Sequence, residues 1–483
     1  MTFGTRARSK YAPGTPPRPA SERKDVLPVT NPRDIPASVY RDAVLPELPT
    51  PQRKGVIEEW FTLSTHFLPA AFPRSGPDVP YPEGCDADGL VIPELEGGPG
   101  AAKKSRAETG VKVRKALFEI NKKQWLGELP GHSEKPLWGC VNRFVRKAPV
   151  GKDQERGRKR VTLLLAHGNG FGKECWEPAL MHMLSNSRAD DPIVEEIWSW
   201  EAVNHGDAAL INRKNLGAFY EWLDNSRDVV NFLTYYLPDA AGYSGDELPT
   251  HLPLLSQEIS EARRKNGLTN RTLVGIGHSL GGCTLTNVAR VSPELFSALV
   301  LVDPVIFPAP TEPGMRWVDG WGASENLVAL CDGAVTRRNG WKSKAEALQS
   351  FKKNPFFASW DPLSLELYVE CQLWVDKESG ETKLKMSGTW EGSVFTGHRA
   401  PFEAWDILPL LDKRVALKFI MPEAYLLGLK HAPYLPFLRP NNSSHVIIMG
   451  ATHLLCHEAP LETGDEILSF LRSEYGATRQ ARL

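Results

Sequence analysis

From about residue 111 the chain alternates short apolar runs with longer stretches of helical period. Val161-Thr162-Leu163-Leu164-Leu165-Ala166 is the clearest run, and it stops abruptly at His167-Gly168. A continuous apolar run bounded by turn residues predicts a strand buried on both faces. Ile193 to Trp198, Thr272 to Ile276, Ala298 to Val302, Val415 to Met421 and Val446 to Met449 read the same way. Helical periods fall between them, notably Trp222 to Leu237 and Leu280 to Val291. Alternation of strand and helix predicts an α/β fold with a mostly parallel sheet and right-handed crossovers. Two earlier runs, Val113 to Ile120 and Trp138 to Val145, are expected to pair antiparallel at a sheet edge.

The rhythm divides the chain. Residues 1–50 are rich in Pro, Arg, Ser and Thr without an apolar period, and are expected to be a disordered extension. Residues 51–110 read as an irregular segment, and 111–303 with 413–475 as the α/β core. The interval 304–412 breaks the alternation and reads as an inserted lid. It holds Trp317, Trp321, Trp341, Trp360, Trp374, Trp390 and Trp405, half of the chain's 14 tryptophans, with Phe307, Phe351, Phe356, Phe357 and Tyr368. Most of these rings are expected to form the lid's own core, and a few to line an apolar pocket.

Composition narrows the function classes. Lys and Arg number 57 against 58 Asp and Glu, which leaves no basic footprint for nucleic acid. The seven cysteines are dispersed without a C-x-x-C pair, the pattern of reduced thiols in an intracellular protein. No apolar run approaches the roughly 20 residues that span a bilayer, and the N-terminus lacks a secretory signal pattern. Residues 476–483 form a polar tail ending in Ala481-Arg482-Leu483, which fits a small-basic-leucine peroxisomal address read by an import receptor. The expected location is peroxisomal, otherwise cytoplasmic.

The strand at 272–276 runs into Gly277-His278-Ser279-Leu280-Gly281-Gly282, and a helical period follows at once. This is G-x-S-x-G in the strand–turn–helix context that the motif requires. A serine on such a turn projects above the sheet, flanking glycines let strand and helix approach, and the helix N-terminus offers amides to a developing oxyanion. Ser279 is therefore the candidate nucleophile. His453, in Gly450-Ala451-Thr452-His453 after the last strand run, is the candidate base; His457 is its rival. Chain order in such sites is Ser, then acid, then His, and two acids follow strands in that interval. Asp303 ends Ala298 to Val302 at a sharp Asp-Pro junction, and Glu423 follows Val415 to Met421, so the acid is Asp303 or, alternatively, Glu423.

A second oxyanion amide is expected from His167-Gly168-Asn169-Gly170-Phe171-Gly172, whose glycines let a backbone turn its N–H groups inward. Asn169 is the expected donor with Gly170 as alternative, and Leu280 supplies the other amide. The loop lacks the spacing of a dinucleotide or Walker phosphate site. Asn204-His205-Gly206-Asp207 reads as a hydrogen-bonded loop rather than a metal site, so no cofactor or metal is expected.

The elbow, the His-Gly-Asn-Gly-Phe-Gly loop and the Gly-Ala-Thr-His stretch with Glu458-Ala459-Pro460 resemble the α/β-hydrolase superfamily. More narrowly, the chain resembles fungal peroxisomal hydrolases of toxin and mycophenolic acid biosynthesis and the yeast peroxisomal lipase group. That resemblance implies an eight-stranded, mostly parallel sheet flanked by helices, with a helical lid between strands six and seven. It also implies an acid after the sixth strand, which favours Asp303, and hydrolysis of acyl-CoA thioesters or lipid or polyketide-type esters. The long N-terminus departs from those relatives. Acyl transfer through the same acyl-enzyme, or a non-catalytic binding protein on the same fold, are the competing functions.

Overall fold

The computed structural model describes residues 4–6, 27–41, 45–92, 98–129, 131–147, 157–242, 246–309, 325–425 and 431–476. Nine strands form the main sheet: β1 (Gly4–Arg6), β2 (Phe61–Pro69), β3 (Trp138–Arg146), β4 (Arg160–Ala166), β5 (Ile193–Glu201), β6 (Leu273–His278), β7 (Ala298–Val302), β8 (Ala416–Pro422) and β9 (Ser443–Met449). Their spatial order is β1-β9-β8-β7-β6-β4-β5-β3-β2. The six strands from β5 to β9 run parallel, β3 and β2 add antiparallel at one edge, and three-residue β1 adds antiparallel at the other. Eight strands thus form the expected hydrolase sheet, and β1 extends it from the N-terminal segment.

The apolar runs explain the parallel centre. Leu163, Leu165, Val274, Ile276, Val300 and Val302 bury on one face, and Leu164, Leu273, Leu299 and Leu301 on the other. Neither face meets water, so these strands carry no polar alternation. Helix α4 (Leu280–Val291) follows β6, with Leu285, Val288 and Ala289 inside, and packs on α3 (Trp222–Asn231). Its opposite number on the other face is the C-terminal helix α8 (Pro460–Tyr475), which packs on α2 (Glu177–Ser185).

Two expectations are corrected at the N-terminal side. Residues 113–120 are not a strand; they lie within helix α1 (Gly98–Leu126). Gly110, Val113, Arg114, Leu117, Phe118 and Asn121 are buried there, a helical three-and-four spacing that the run of β-branched residues obscured. The edge partner of β3 is instead β2, paired over nine residues from Phe61↔Arg146 to Pro69↔Trp138. The segment 51–110 is therefore not irregular. Its strand is hard to read because Ser64-Thr65-His66 interrupts the apolar pattern; buried His66 bonds the Pro249 carbonyl and the Ser64 hydroxyl (2.8 and 2.7 Å).

Between β7 and β8 the described residues form helices, including α5 (Glu325–Thr336), α6 (Pro362–Gln372) and α7 (Gly388–Thr396), and a three-stranded antiparallel sheet. Trp341 and Trp360 join a local cluster with Phe351 and Tyr368, whereas Trp390 and Trp405 bury into the main core. Trp317 and Trp321 lie outside the described residues, as does the Ala481-Arg482-Leu483 tripeptide. No helix among the described residues is long and apolar enough to cross a membrane, and all seven cysteines are free thiols.

Candidate active site

Strands β4 and β6 are neighbours, and the chain leaves β4 toward β5 on one side before it returns to β6 on the other. A crevice opens at such a switch point beyond the carboxyl ends of the strands. Ser279 stands there, directly after β6, with φ 55° and ψ −115°. Side chains rarely adopt that backbone, and the surrounding packing enforces it. A Cβ on Gly281 would come 2.1 Å from the Ala166 carbonyl oxygen, and one on Gly277 2.6 Å from the Gly281 backbone. The flanking glycines are thus required by contact between α4, β6 and the end of β4.

His453 lies in the loop after β9. Its Nε2 is 2.9 Å from Ser279 Oγ and its Nδ1 2.6 Å from Asp303 Oδ2. Asp303 follows β7 directly, with φ 34°, and its amide bonds Ile420 of the adjacent strand β8. Three loops from three strands therefore meet in one hydrogen-bonded series. Glu423 does not join it: its exposed side chain accepts the Gly450 amide at 2.9 Å. His457 stays apart as well, buried between the rings of Phe171 and Trp360 with centroids 4.1 and 4.2 Å away. Burial, then His453, lowers His457 to about 3, so it is a neutral packing residue.

Two residues that sequence reasoning missed brace the His453 loop. His278, inside the elbow motif, donates from Nε2 to the His453 carbonyl at 2.8 Å. Burial, then His453 and His457, hold it well below the ordinary histidine value, so it is neutral. Glu458 accepts both the amide and the hydroxyl of Thr452 (3.0 and 2.8 Å), and its other oxygen accepts from Ser359 (2.9 Å). No local sequence signal marks either contact, because each joins distant parts of the chain or depends on how a loop folds back.

Gly168 packs directly on Ser279: a Cβ there would lie 3.2 Å from Ser279 Cβ. The Gly170 amide donates to His205 Nε2 at 3.2 Å. Among the described residues no acceptor occupies the amides of Asn169 and Leu280. His205 Nδ1 donates to Asn204 (2.8 Å), and Asn169 Nδ2 to the Glu391 carbonyl (3.2 Å), so the loop is held from both sides.

Ser279, His453 and Asn169 line a cavity of about 760 Å³. Its walls are mostly apolar, with Phe171, Trp222, Phe307, Leu330, Phe356, Phe357 and Phe395. Trp341, Trp360, Trp390 and Trp405 of the 304–412 interval pack in cores instead; phenylalanines and a tyrosine from that interval face the cavity.

The profile of the alpha/beta hydrolase family matches residues 163–466, more than half of the 483-residue chain. The chain belongs to the alpha/beta hydrolase family. It is similar to the type I acyl-CoA thioesterase mpaH of Penicillium brevicompactum, 25% identical over 205 residues, which cover 42% of this chain and 37% of that protein. It is also similar to the peroxisomal membrane protein LPX1 of Saccharomyces cerevisiae, 29% identical over 153 residues, 32% of this chain and 33% of that protein. The chain thus spans about a third of the length of these curated relatives. The solved structure of the peroxisomal alpha-beta-hydrolase Lpx1 of Saccharomyces cerevisiae aligns with a TM-score of 0.57 at 18% identity, over 86% of this chain and 88% of that chain. At that identity the likeness is one of fold.

Beside the site of this hydrolase family member lies a buried charged network. Cys140, Glu201 and Asp207 have donor atoms close enough to hold a metal. The Lys173 ammonium is already among them, 3.1 Å from Glu201, 2.8 Å from Asp207 and 3.1 Å from Glu174, and Lys385 lies 2.5 Å from Asp207. Burial opposes ionisation of Asp207, yet Lys173 and Lys385 together hold its carboxyl below the usual range. The lysines supply the positive charge that a cation would bring, and Asp207 serves structure.

Proposed function

We propose that this chain is a serine hydrolase that cleaves an ester or thioester through an acyl-enzyme. The observation that carries the reading is His453 lying between Ser279 Oγ and Asp303 Oδ2, at 2.9 and 2.6 Å. Nδ1–H donates to Asp303, which leaves the Nε2 lone pair facing the serine hydroxyl. Ser279 Oγ attacks the acyl carbonyl as its proton passes to Nε2. The amides of Asn169 and Leu280 stabilise the oxyanion. Collapse breaks the bond to the alcohol or thiol, which leaves with the proton from Nε2. Water, deprotonated by His453, then attacks the acyl-enzyme, and the carboxylic acid departs as the Oγ proton returns.

The cavity's volume is in the range of small-molecule sites, and its walls fit an acyl chain. The helices between β7 and β8 act as the lid over it. The named activity of the Penicillium relative favours an acyl-CoA thioester among these substrates. The peroxisomal yeast relative LPX1, matched both in sequence and in fold, favours a peroxisomal location.

The test compares the wild type with Ser279→Ala on acyl-CoA and p-nitrophenyl ester series of increasing chain length, beside labelling by a fluorophosphonate. The wild type labels and turns over, and Ser279→Ala does neither. Equal behaviour of the two proteins overturns the reading.

A further inference from the structure

The mostly apolar wall of the cavity carries an ion pair. Arg337, just past α5, pairs through Nη1 with Glu391 of α7, and both residues line the cavity that holds Ser279. Arg337 Nη2 also donates to the Met386 carbonyl at 2.8 Å. Glu391 abuts the oxyanion loop: its carbonyl accepts from Asn169 Nδ2, and a Cβ on Gly170 would lie 2.7 Å from its Oε1.

We propose that Arg337 and Glu391 form a polar subsite that selects an oxygenated acyl chain, one bearing a hydroxyl or keto group, over a plain hydrocarbon chain. This inference rests on the ester-cleaving reading of Ser279. Fold stability is a weak account of the pair, because an ion pair whose side chains are 22% and 14% exposed stays in contact with water and contributes little. A substrate oxygen does account for it. A hydroxyl accepts from the guanidinium and donates to the carboxylate, and a keto oxygen accepts from the guanidinium. A plain chain strips water from the pair and returns no hydrogen bond, which is how a polar site rejects an apolar analogue. A free carboxylate is disfavoured, since Glu391 already holds Arg337 and Glu458 lines the same cavity. Burial, partly opposed by Arg337, raises the Glu391 carboxyl.

The experiment uses the full chain and p-nitrophenyl esters of one length, unsubstituted or with a hydroxyl or oxo group walked along the chain. Wild type is expected to prefer at least one oxygenated isomer in kcat/KM by roughly ten-fold or more. In Arg337→Met/Glu391→Met that ratio falls to about one, with a thermal melt to check folding. Should the double variant fail to fold, Arg337→Lys keeps the charge but loses the planar fork, and the ratio is expected to drop several-fold. A wild type without preference, or a ratio unchanged in the variant that folds, overturns the subsite while leaving the hydrolase reading standing. Absence of turnover on every ester together with no fluorophosphonate label overturns the hydrolase reading, and this inference with it.

Discussion

Replacing Asp303 by asparagine removes one charge and almost no volume. The positive φ of 34° at this position is tolerated by asparagine as well as by aspartate, so the loop is expected to keep its shape. What changes is the partner of His453 Nδ1, 2.6 Å from a carboxylate oxygen on a residue that is 4% exposed. In the proposed mechanism His453 becomes an imidazolium during acylation. Opposite charges about 4 Å apart interact by about 4 kcal/mol at an effective dielectric of about 20. Losing that stabilisation slows the step by about three powers of ten. An amide that turns its NH2 toward Nδ1 also imposes the wrong tautomer, which extends the expected loss toward ~10⁴-fold. The loss falls on kcat with KM nearly unchanged, because Asp303 does not line the cavity. The control is Glu423→Gln, which perturbs an exposed carboxylate bonded to the Gly450 amide and is expected to cost less than about threefold. The assay is p-nitrophenyl ester hydrolysis, referred to folded protein by thermal melt. An Asp303→Asn enzyme within tenfold of wild type, or a Glu423→Gln enzyme equally impaired, refutes the assignment.

Gly281→Ala drives a Cβ to 2.1 Å from the Ala166 carbonyl, a backbone atom that cannot step aside, so overpacking of about 1–3 kcal/mol or more is expected as a lowered melting temperature. Lys173→Met strands the carboxylates of Glu174, Glu201 and Asp207; chemical denaturation is expected to show a loss of about 3–5 kcal/mol, and a stability equal to wild type would contradict the network. Acid should weaken the fold through histidines buried neutral. Burial lowers His66 and His167 to about 4 and His398 and His457 to about 3, while the unfolded chain protonates near the ordinary value of 6.5. Their contribution is full above pH 6.5 and is lost as the pH falls toward 4 and then 3, at roughly 1.4 kcal/mol per pH unit for each histidine. Melting temperatures across that window check the slope, and His66→Gln is expected to flatten it.

What the sequence made legible was what local physics dictates. The central strands are buried on both faces, so their apolar runs appear without interruption, and the run at 298–302 coincides with the observed strand. The elbow is equally local, since a serine at φ 55° against close-packed strand and helix demands glycine on either side. The edge strand β2 and helix α1 were misread because each mixes burial with polar contacts, so their pattern fits more than one period. The tryptophan-rich interval gave its aromatic content away but not its use, since ring type alone does not say whether a residue faces a core or a cavity.

The choice between Asp303 and Glu423 shows where local reading ends. Both acids follow parallel strands, and those strands are neighbours in the sheet. Only the path of the loop after β9 brings His453 within 2.6 Å of one and leaves the other bonded to Gly450. The same holds for His205 on the Gly170 amide, for Glu458 on Thr452 and for the Arg337–Glu391 pair. The sequence by itself determined the backbone of the elbow and of the strands buried on both faces, and which side chains could do chemistry. Tertiary structure decided which of them meet, because hydrogen bonds act over about 3 Å between groups whose separation along the chain carries no information about distance.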